Sequence, residues 1–176
     1  MGFTPLAEYG HSSLLIKNTI YIPGGDHTTK TTVSSLFALD VSQPWPSIKP
    51  PWVDRTSDAG IVTTPISAFY AMFPSADGDS FYVWGGGNDD RKALIQNGFA
   101  QYNTVTRTWS LPSSIVNMPS QRRFVRAACT SSGVAYMWSG ISDHNGQMVI
   151  IGGYYNAQVG TKVTNTFVSM TDIPMF

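Results

Sequence analysis

Three stretches of the chain end an apolar run at small residues, and this recurrence constrains the fold more than any other feature. The stretches read NTIYIPGGD (18–26), SFYVWGGGND (80–89) and VAYMWSGISD (134–143). Gly85 follows Gly24 by 61 positions, and Ser139 follows Gly85 by 54. Repeats of about 50 residues that carry only strand and turn signals are typical of propeller blades. We therefore predict an all-β chain made of successive blades.

Each repeat predicts four strands. Two strands joined by a polar turn precede the glycines, as in residues 11–25, and a third strand follows them. Asp40 and Asn103 end that third strand, and we expect each to begin a tight turn by accepting hydrogen bonds from its own backbone. Trp45 and Trp109 are then expected to begin the fourth strand and to fill the space between blades. The glycine-ended strand is expected to be the innermost one, where a Cβ would not fit.

These motifs resemble kelch repeats: paired glycines after an apolar strand, then an apolar residue with Asp or Asn, then Trp. The resemblance covers roughly residues 5 to 140 and implies a kelch-type β-propeller, a fold shared with galactose oxidase and usually built from 4–8 blades. Most kelch proteins serve as protein-interaction platforms. The residues that carry the repeat are Gly24, Gly25, Trp45, Gly85, Gly86, Trp109 and Gly140.

The third repeat departs from the pattern. The run MVIIGGYY (148–155) ends in glycines again, only 13 positions after Ser139. It is either part of a rearranged third blade or the start of a fourth. We predict a single partial propeller domain over residues 1–176, with units at about 5–60, 61–120 and 121–176, the last of them irregular.

This count gives about three four-stranded blades and part of a fourth, and three blades do not close a ring. A propeller closes to hide its edge strands. The chain is therefore expected to be a piece of a larger propeller, a truncated product, or a chain that completes its ring by self-association.

The overall charge argues against a nucleic-acid partner, because 11 basic and 11 acidic residues cancel and a phosphate-binding face needs a basic excess. Arg122, Arg123 and Arg126 form the only basic cluster, and we interpret it as the solvated start of a strand. The sequence shows neither a signal peptide nor an apolar run of membrane-spanning length. These features favour a cytoplasmic location, with a fragment of a secreted or membrane-anchored kelch ectodomain as the alternative.

Polar loops after the glycine-ended strands are the candidate partner-binding site. If the blades align, these loops share one rim of the propeller. The alternative interpretation is that their Asp and Asn side chains only cap turns and face water. The candidate residues are Asp26, His27, Asp89, Asp90, Arg91, Asp143 and His144.

No catalytic, cofactor-binding or metal-binding set is recognisable. The copper-radical chemistry of galactose oxidase would need a cysteine cross-linked to a tyrosine, and Cys129 falls in a predicted strand. We therefore predict a non-enzymatic scaffold of the kelch type that binds a protein partner. The alternative is part of an enzyme or carbohydrate-binding propeller whose active residues are absent or lie outside this chain.

Overall fold

The computed structural model describes residues 3–27, 32–58, 64–87, 99–112, 123–130, 133–139, 148–150 and 168–170. Over these ranges the protein is all-β, as predicted. The strands are β1 (Glu8–Tyr9), β2 (Leu14–Ile16), β3 (Thr19–His27), β4 (Thr32–Asp40), β5 (Trp52–Asp54), β6 (Ala71–Pro74), β7 (Ser80–Trp84), β8 (Phe99–Asn103), β9 (Thr108–Ser110), β10 (Val125–Cys129), β11 (Ala135–Ser139), β12 (Met148–Ile150) and β13 (Val168–Met170). Within the described ranges no helix is long and apolar enough to cross a membrane.

Sheets 1 and 2 follow the same antiparallel path. Sheet 1 pairs β2 with β3, β3 with β4 and β4 with β5, and the short strand β1 extends it beside the far end of β3. Sheet 2 runs β6-β7-β8-β9 in the same order. An isolated bridge pairs Ala68 with Gly87. It occupies the same position in the second repeat as the Tyr9–Asp26 pair of β1 and β3 does in the first. Two four-stranded units of the kind predicted from the repeat are therefore present.

Strands β10 and β11 form sheet 3, and β12 pairs with β13 in a separate two-stranded ladder. Strand β12 contacts β11. The predicted run 148–155 is described only at β12, so its remaining residues lie outside the described part of the chain.

The turns after the third strands form as predicted. The Asp40 carboxylate accepts a hydrogen bond from the Ser42 N–H at 2.8 Å. The Asn103 side-chain oxygen accepts two, from Val105 N at 3.0 Å and Thr106 N at 2.8 Å. Both residues therefore satisfy backbone donors that the turn would otherwise leave unpaired.

The prediction for Trp45 was wrong. Strand β5 begins at Trp52, which pairs with Leu39, and Trp109 pairs with Tyr102 in the same register. Trp45 lies in the loop between β4 and β5. This loop holds four prolines at residues 44, 46, 50 and 51, which donate no N–H to a ladder, so the fourth strand starts only after them.

The core consists of two apolar layers between sheets. The first lies between sheets 1 and 2 and is built on Ile16, Leu36, Tyr70, Met72, Phe81, Val83, Ala100, Tyr102 and Trp109. The second lies between sheets 2 and 3 and is built on Ala71, Phe73, Tyr82, Trp84, Val125, Ala135 and Met137. Every residue of β7 is buried, because sheet 2 is covered on both faces. Sheets packed face to face in chain order are the arrangement of a partial β-propeller, and the fold prediction is confirmed.

The glycine-ended strands are not the innermost ones. Strand β6 contacts both β2 and β10 across the sheets, which places these first strands, rather than β3 and β7, nearest the axis. The glycines have a different role. A Cβ on Gly24 would lie 2.5 Å from the Ser67 carbonyl oxygen, and the neighbouring Gly25 N–H donates to that oxygen at 2.9 Å. They allow the segment that leads into sheet 2 to lie directly on sheet 1.

Trp109 and Trp45 differ in burial, which allows a test of the sheet register. Trp109 is fully buried in the first layer, whereas Trp45 is partly exposed in its loop. We expect Trp109→Ala to lower the free energy of unfolding by about 3–5 kcal/mol and Trp45→Ala by about 1 kcal/mol or less. Urea unfolding of the two variants beside wild type would measure both values, and equal losses would contradict the sheet register.

Candidate interaction surface

Three segments that lead into the first strands of the sheets lie side by side. The Phe69 N–H donates to the Gly10 carbonyl at 2.6 Å, and the Val125 N–H donates to the Phe69 carbonyl at 3.3 Å. Gly10, Phe69 and Phe124 all have positive φ, at 69°, 60° and 56°. The same left-handed backbone conformation therefore occurs once in each of three repeats, and the three residues lie along one rim.

The aromatic strip, defined as Tyr9, Phe69, Phe124 and Arg123, runs across these segments. The ring centroids of Tyr9 and Phe69 are 6.2 Å apart, and those of Phe69 and Phe124 are 4.5 Å apart. The Arg123 guanidinium carbon lies 4.9 Å from the Phe69 centroid and 5.4 Å from the Phe124 centroid. Tyr9 is 42% exposed and Phe124 is 38% exposed. One cation and three rings from three sheets thus form a continuous, partly exposed surface.

Two glycines make room for the strip. A Cβ on Gly10 would lie 2.9 Å from two carbons of the Phe69 ring, and a Cβ on Gly87 would lie 2.5 Å from the Arg123 Cδ. The stem of Arg123 is therefore packed against the backbone of sheet 2 while its guanidinium stacks on the rings. This placement corrects the interpretation of Arg123 as a solvated strand start.

An open cavity of about 310 Å³ is lined by residues that follow the strip residues in sequence. Its polar lining comes from His11, Ser12, Ser13 and Arg126, and its apolar lining from Ala71, Met72, Val125 and Ala127. These residues belong to the first strands and their lead-in segments, so the cavity lies beside the propeller axis. The Ser12 hydroxyl is already engaged, donating to the Tyr70 carbonyl at 3.1 Å.

A half-buried carboxylate, Glu8, lies at the sheet 1 end of the strip. The Ser35 hydroxyl is within 2.9 and 3.0 Å of the two Glu8 carboxylate oxygens, and Glu8 pairs with His27 in the β1–β3 register. Burial raises the pKa of Glu8, while the Ser35 hydrogen bond and the charge of His27 act to lower it. Because the net shift is upward, the folded state favours the protonated carboxyl more than the unfolded chain does.

Asp26 does not have the exposed position that its sequence context suggested. It is fully buried, and its carboxylate accepts a hydrogen bond from the Thr32 hydroxyl at 2.6 Å. The pairing of β3 with both β1 and β4 encloses it, so an external partner cannot reach it. Its neighbour His27 is partly exposed.

Most of the other predicted loop residues, and the repeat residue Gly140, lie outside the described part of the chain. The described residues exclude Asp89, Asp90, Arg91, Gly140, Asp143 and His144. Of the predicted repeat residues, Gly24, Gly25, Gly85 and Gly86 all have positive φ, and Trp109 is buried in the first layer.

The aromatic strip was missed by sequence reasoning. Tyr9, Phe69 and Phe124 each precede a first strand, outside the glycine and tryptophan motifs that defined the repeat. Aligning the repeats on those preceding segments would have placed Gly10, Phe69 and Phe124 in one column. The clustered arginines beside Phe124 were the one part of the strip that the sequence analysis singled out.

Reactive groups are sparse in the part of the chain that the structure describes. No three His, Cys, Asp or Glu side chains there are arranged to hold a metal ion. Burial raises the pKa of the Cys129 thiol, which keeps it in the less reactive protonated form at neutral pH.

The chain is similar in sequence to known kelch proteins. The chain is 26% identical over 142 residues to Kelch domain-containing protein 3 of Bos taurus, and 28% identical over the same length to the proteins of that name from Rattus norvegicus and Mus musculus. This similarity supports the assignment of the repeats to the kelch type. Each match covers 81% of this chain and 34% of the relative, so the chain spans about a third of the length of these curated relatives. No protein-family model matches it.

Gly10 and Gly78 offer a matched test of the packing beneath the strip. Both have positive φ, at 69° and 70°, but a Cβ on Gly78 would meet nothing within 4 Å. We expect Gly78→Ala to lower the free energy of unfolding by about 1 kcal/mol through backbone strain alone. Gly10→Ala should cost at least about 1 kcal/mol more, because the Phe69 ring must also move. Urea unfolding measures both, and equal costs would contradict the contact.

The raised pKa of Glu8 predicts a pH dependence. Its contribution to stability is fully present below the unfolded pKa and is lost as the pH rises through the higher folded pKa. Wild type should therefore lose stability relative to Glu8→Gln as the pH rises from 4 to 7. Urea midpoints of the two proteins at several pH values would show this, and a constant difference would contradict it.

Proposed function

We propose that this kelch chain is a non-enzymatic interaction module that binds a protein partner at the rim carrying the aromatic strip. The observation that carries the proposal is the stacking of Arg123 on Phe69 and Phe124 at a partly exposed surface. Aromatic and arginine side chains are enriched where protein interfaces derive most of their binding energy. Stacking on the rings also restricts the guanidinium before a partner arrives, which lowers the entropy lost on binding.

We propose that the predicted rim loops belong to the same surface. His27 ends β3, and Asp89, Asp90, Arg91, Asp143 and His144 follow the glycine-ended strands in sequence. We include these six residues among the proposed partner contacts and leave out the buried Asp26. A protein partner is favoured over a nucleic acid because the chain has no net charge with which to attract phosphates.

Partner capture by strip variants tests the proposal. Tagged wild type, Phe124→Ser and Arg123→Gln would be expressed in the native cells, and the co-purified proteins quantified by mass spectrometry. The expected result is a specific partner whose recovery falls at least about tenfold with either variant, the loss typical of an interface anchor.

Val105→Ser is the matched control. Val105 is 64% exposed in the turn between β8 and β9, so the change removes an exposed apolar side chain away from the strip. It should leave recovery unchanged. Circular dichroism would verify that each variant is folded, and undiminished capture by folded strip variants would refute the proposed site.

A further inference from the structure

The loop between β4 and β5 is longer than its counterpart in sheet 2. It has eleven residues, 41–51, whereas five residues, 104–108, make the same connection in sheet 2. Both loops begin with an N–H that donates at 2.8 Å to the carbonyl before the second strand of the sheet, and both end at a tryptophan in the same register. A sheet of this kind therefore closes without the six additional residues of the first loop.

An isoleucine lies at the tip of this longer loop. The Lys49 N–H donates to the Pro46 carbonyl at 2.8 Å, which closes a four-residue turn with Ile48 at its third position. Ile48 is 94% exposed, more than any other large apolar residue in the described part of the chain. A single exposed apolar residue is ordinary on a protein surface, but this one is carried by residues that the sheet does not need.

Prolines restrict the backbone that presents Ile48. Four of the eleven loop residues are proline, at positions 44, 46, 50 and 51, and each proline ring holds φ at about −65°. A side chain on a restricted backbone costs less conformational entropy to bind than one on a flexible loop. The loop is therefore suited to place Ile48 in a pocket of another molecule.

The composition of the loop indicates what kind of pocket it fits. Lys49 follows Ile48 and is the single charged residue of the loop. It is exposed and forms no ion pair with any residue that the structure describes. An apolar anchor beside a basic side chain is complementary to an apolar pocket with acidic side chains at its edge. A lipid surface fits less well, because membrane binding takes a larger apolar face or several basic residues.

The loop and the aromatic strip lie at opposite ends of sheet 1. The strip residue Tyr9 pairs with Asp26 near the end of β3. The loop residue Val41 donates its N–H to the carbonyl of Asn18, just before the start of β3. Because β3 is nine residues long, a molecule held by the tip of the loop contacts a surface separate from the strip.

We propose that the loop 41–51 is a second protein-docking element, which inserts Ile48 into an apolar pocket with acidic side chains at its edge on a partner protein. Ile48 supplies the buried apolar contact, and Lys49 pairs with the carboxylates around it. The proposal does not rest on the proposed function, because the loop and the strip are separate surfaces.

Photo-crosslinking from the loop tip is the first part of the test. The photoreactive amino acid benzoylphenylalanine would replace Ile48 in one tagged variant and Leu6, which is 63% exposed outside the loop, in another. Both variants would be expressed in the native cells and illuminated, and the crosslinked products identified by mass spectrometry. We expect a protein that is crosslinked through position 48 and not through position 6. No crosslinked protein, lipid adducts alone, or the same proteins at both positions would each overturn the proposal.

The affinity of the purified crosslinked protein is the second part. In calorimetric titrations, Ile48→Ser should raise the Kd about ten- to hundredfold, the effect of leaving one isoleucine side chain unburied. Lys49→Glu should also raise the Kd, and its effect should shrink at high salt. Leu6→Ser, the matched control, should leave the Kd unchanged. Circular dichroism would verify that each variant is folded.

Phe124→Ser in the same titrations separates this proposal from the proposed function. An unchanged Kd for Ile48→Ser would overturn docking by the loop whatever Phe124→Ser does. A loss of affinity with Ile48→Ser would support the loop even if the strip proved to bind nothing.

An exchange of loops tests whether the additional residues serve binding rather than folding. Replacing residues 41–51 by residues 104–108 of the same chain keeps the start of the loop and the register of Trp52. This variant should keep a urea midpoint close to that of wild type and should lose affinity at least as far as Ile48→Ser. A much lower midpoint would show that the sheet needs the long loop and would count against the proposal.

Discussion

Packing of one sheet on the next is the interaction on which this structure depends. A sheet of four short strands cannot bury both faces by itself, and here each layer is shared between neighbours. Sheet 1 covers one face of sheet 2 and sheet 3 covers the other, which is why every residue of β7 is buried. The hydroxyl of Tyr70, which accepts from the Ser12 N–H at 3.2 Å and donates to the Pro23 carbonyl, adds a polar link across the first layer.

The same stacking creates the candidate interaction surface. Tyr9, Phe69 and Phe124 come from segments before three different sheets, and they meet only because the sheets lie side by side. Backbone hydrogen bonds between the lead-in segments fix this alignment. Stability and the proposed recognition surface therefore have a common origin, although the strip itself contributes little to the two buried layers.

The repeat pattern predicted the fold well because it reflects burial. Apolar runs ending in glycine, and Asp40 or Asn103 at a turn, are dictated by local backbone and packing requirements. The prediction for Trp45 was wrong because a proline-rich loop lengthens the first repeat. The motif spacing alone did not distinguish Trp45 from Trp52, which begins β5. The burial of Asp26 and the ring contacts of the strip depend on contacts between distant segments, which the repeat motifs do not encode; an alignment of the lead-in segments would have shown only that Phe69 and Phe124 hold equivalent positions.

Phe69 and Phe124 occupy a backbone region in which an amino acid with a side chain is strained, and glycine is the usual occupant. The equivalent place in the first repeat does hold Gly10. The left-handed conformation costs each phenylalanine roughly 1 kcal/mol of backbone strain. The stacked rings and the backbone hydrogen bonds between the lead-in segments must therefore offset this strain, so loosening either contact would release the phenylalanine backbone toward an ordinary conformation.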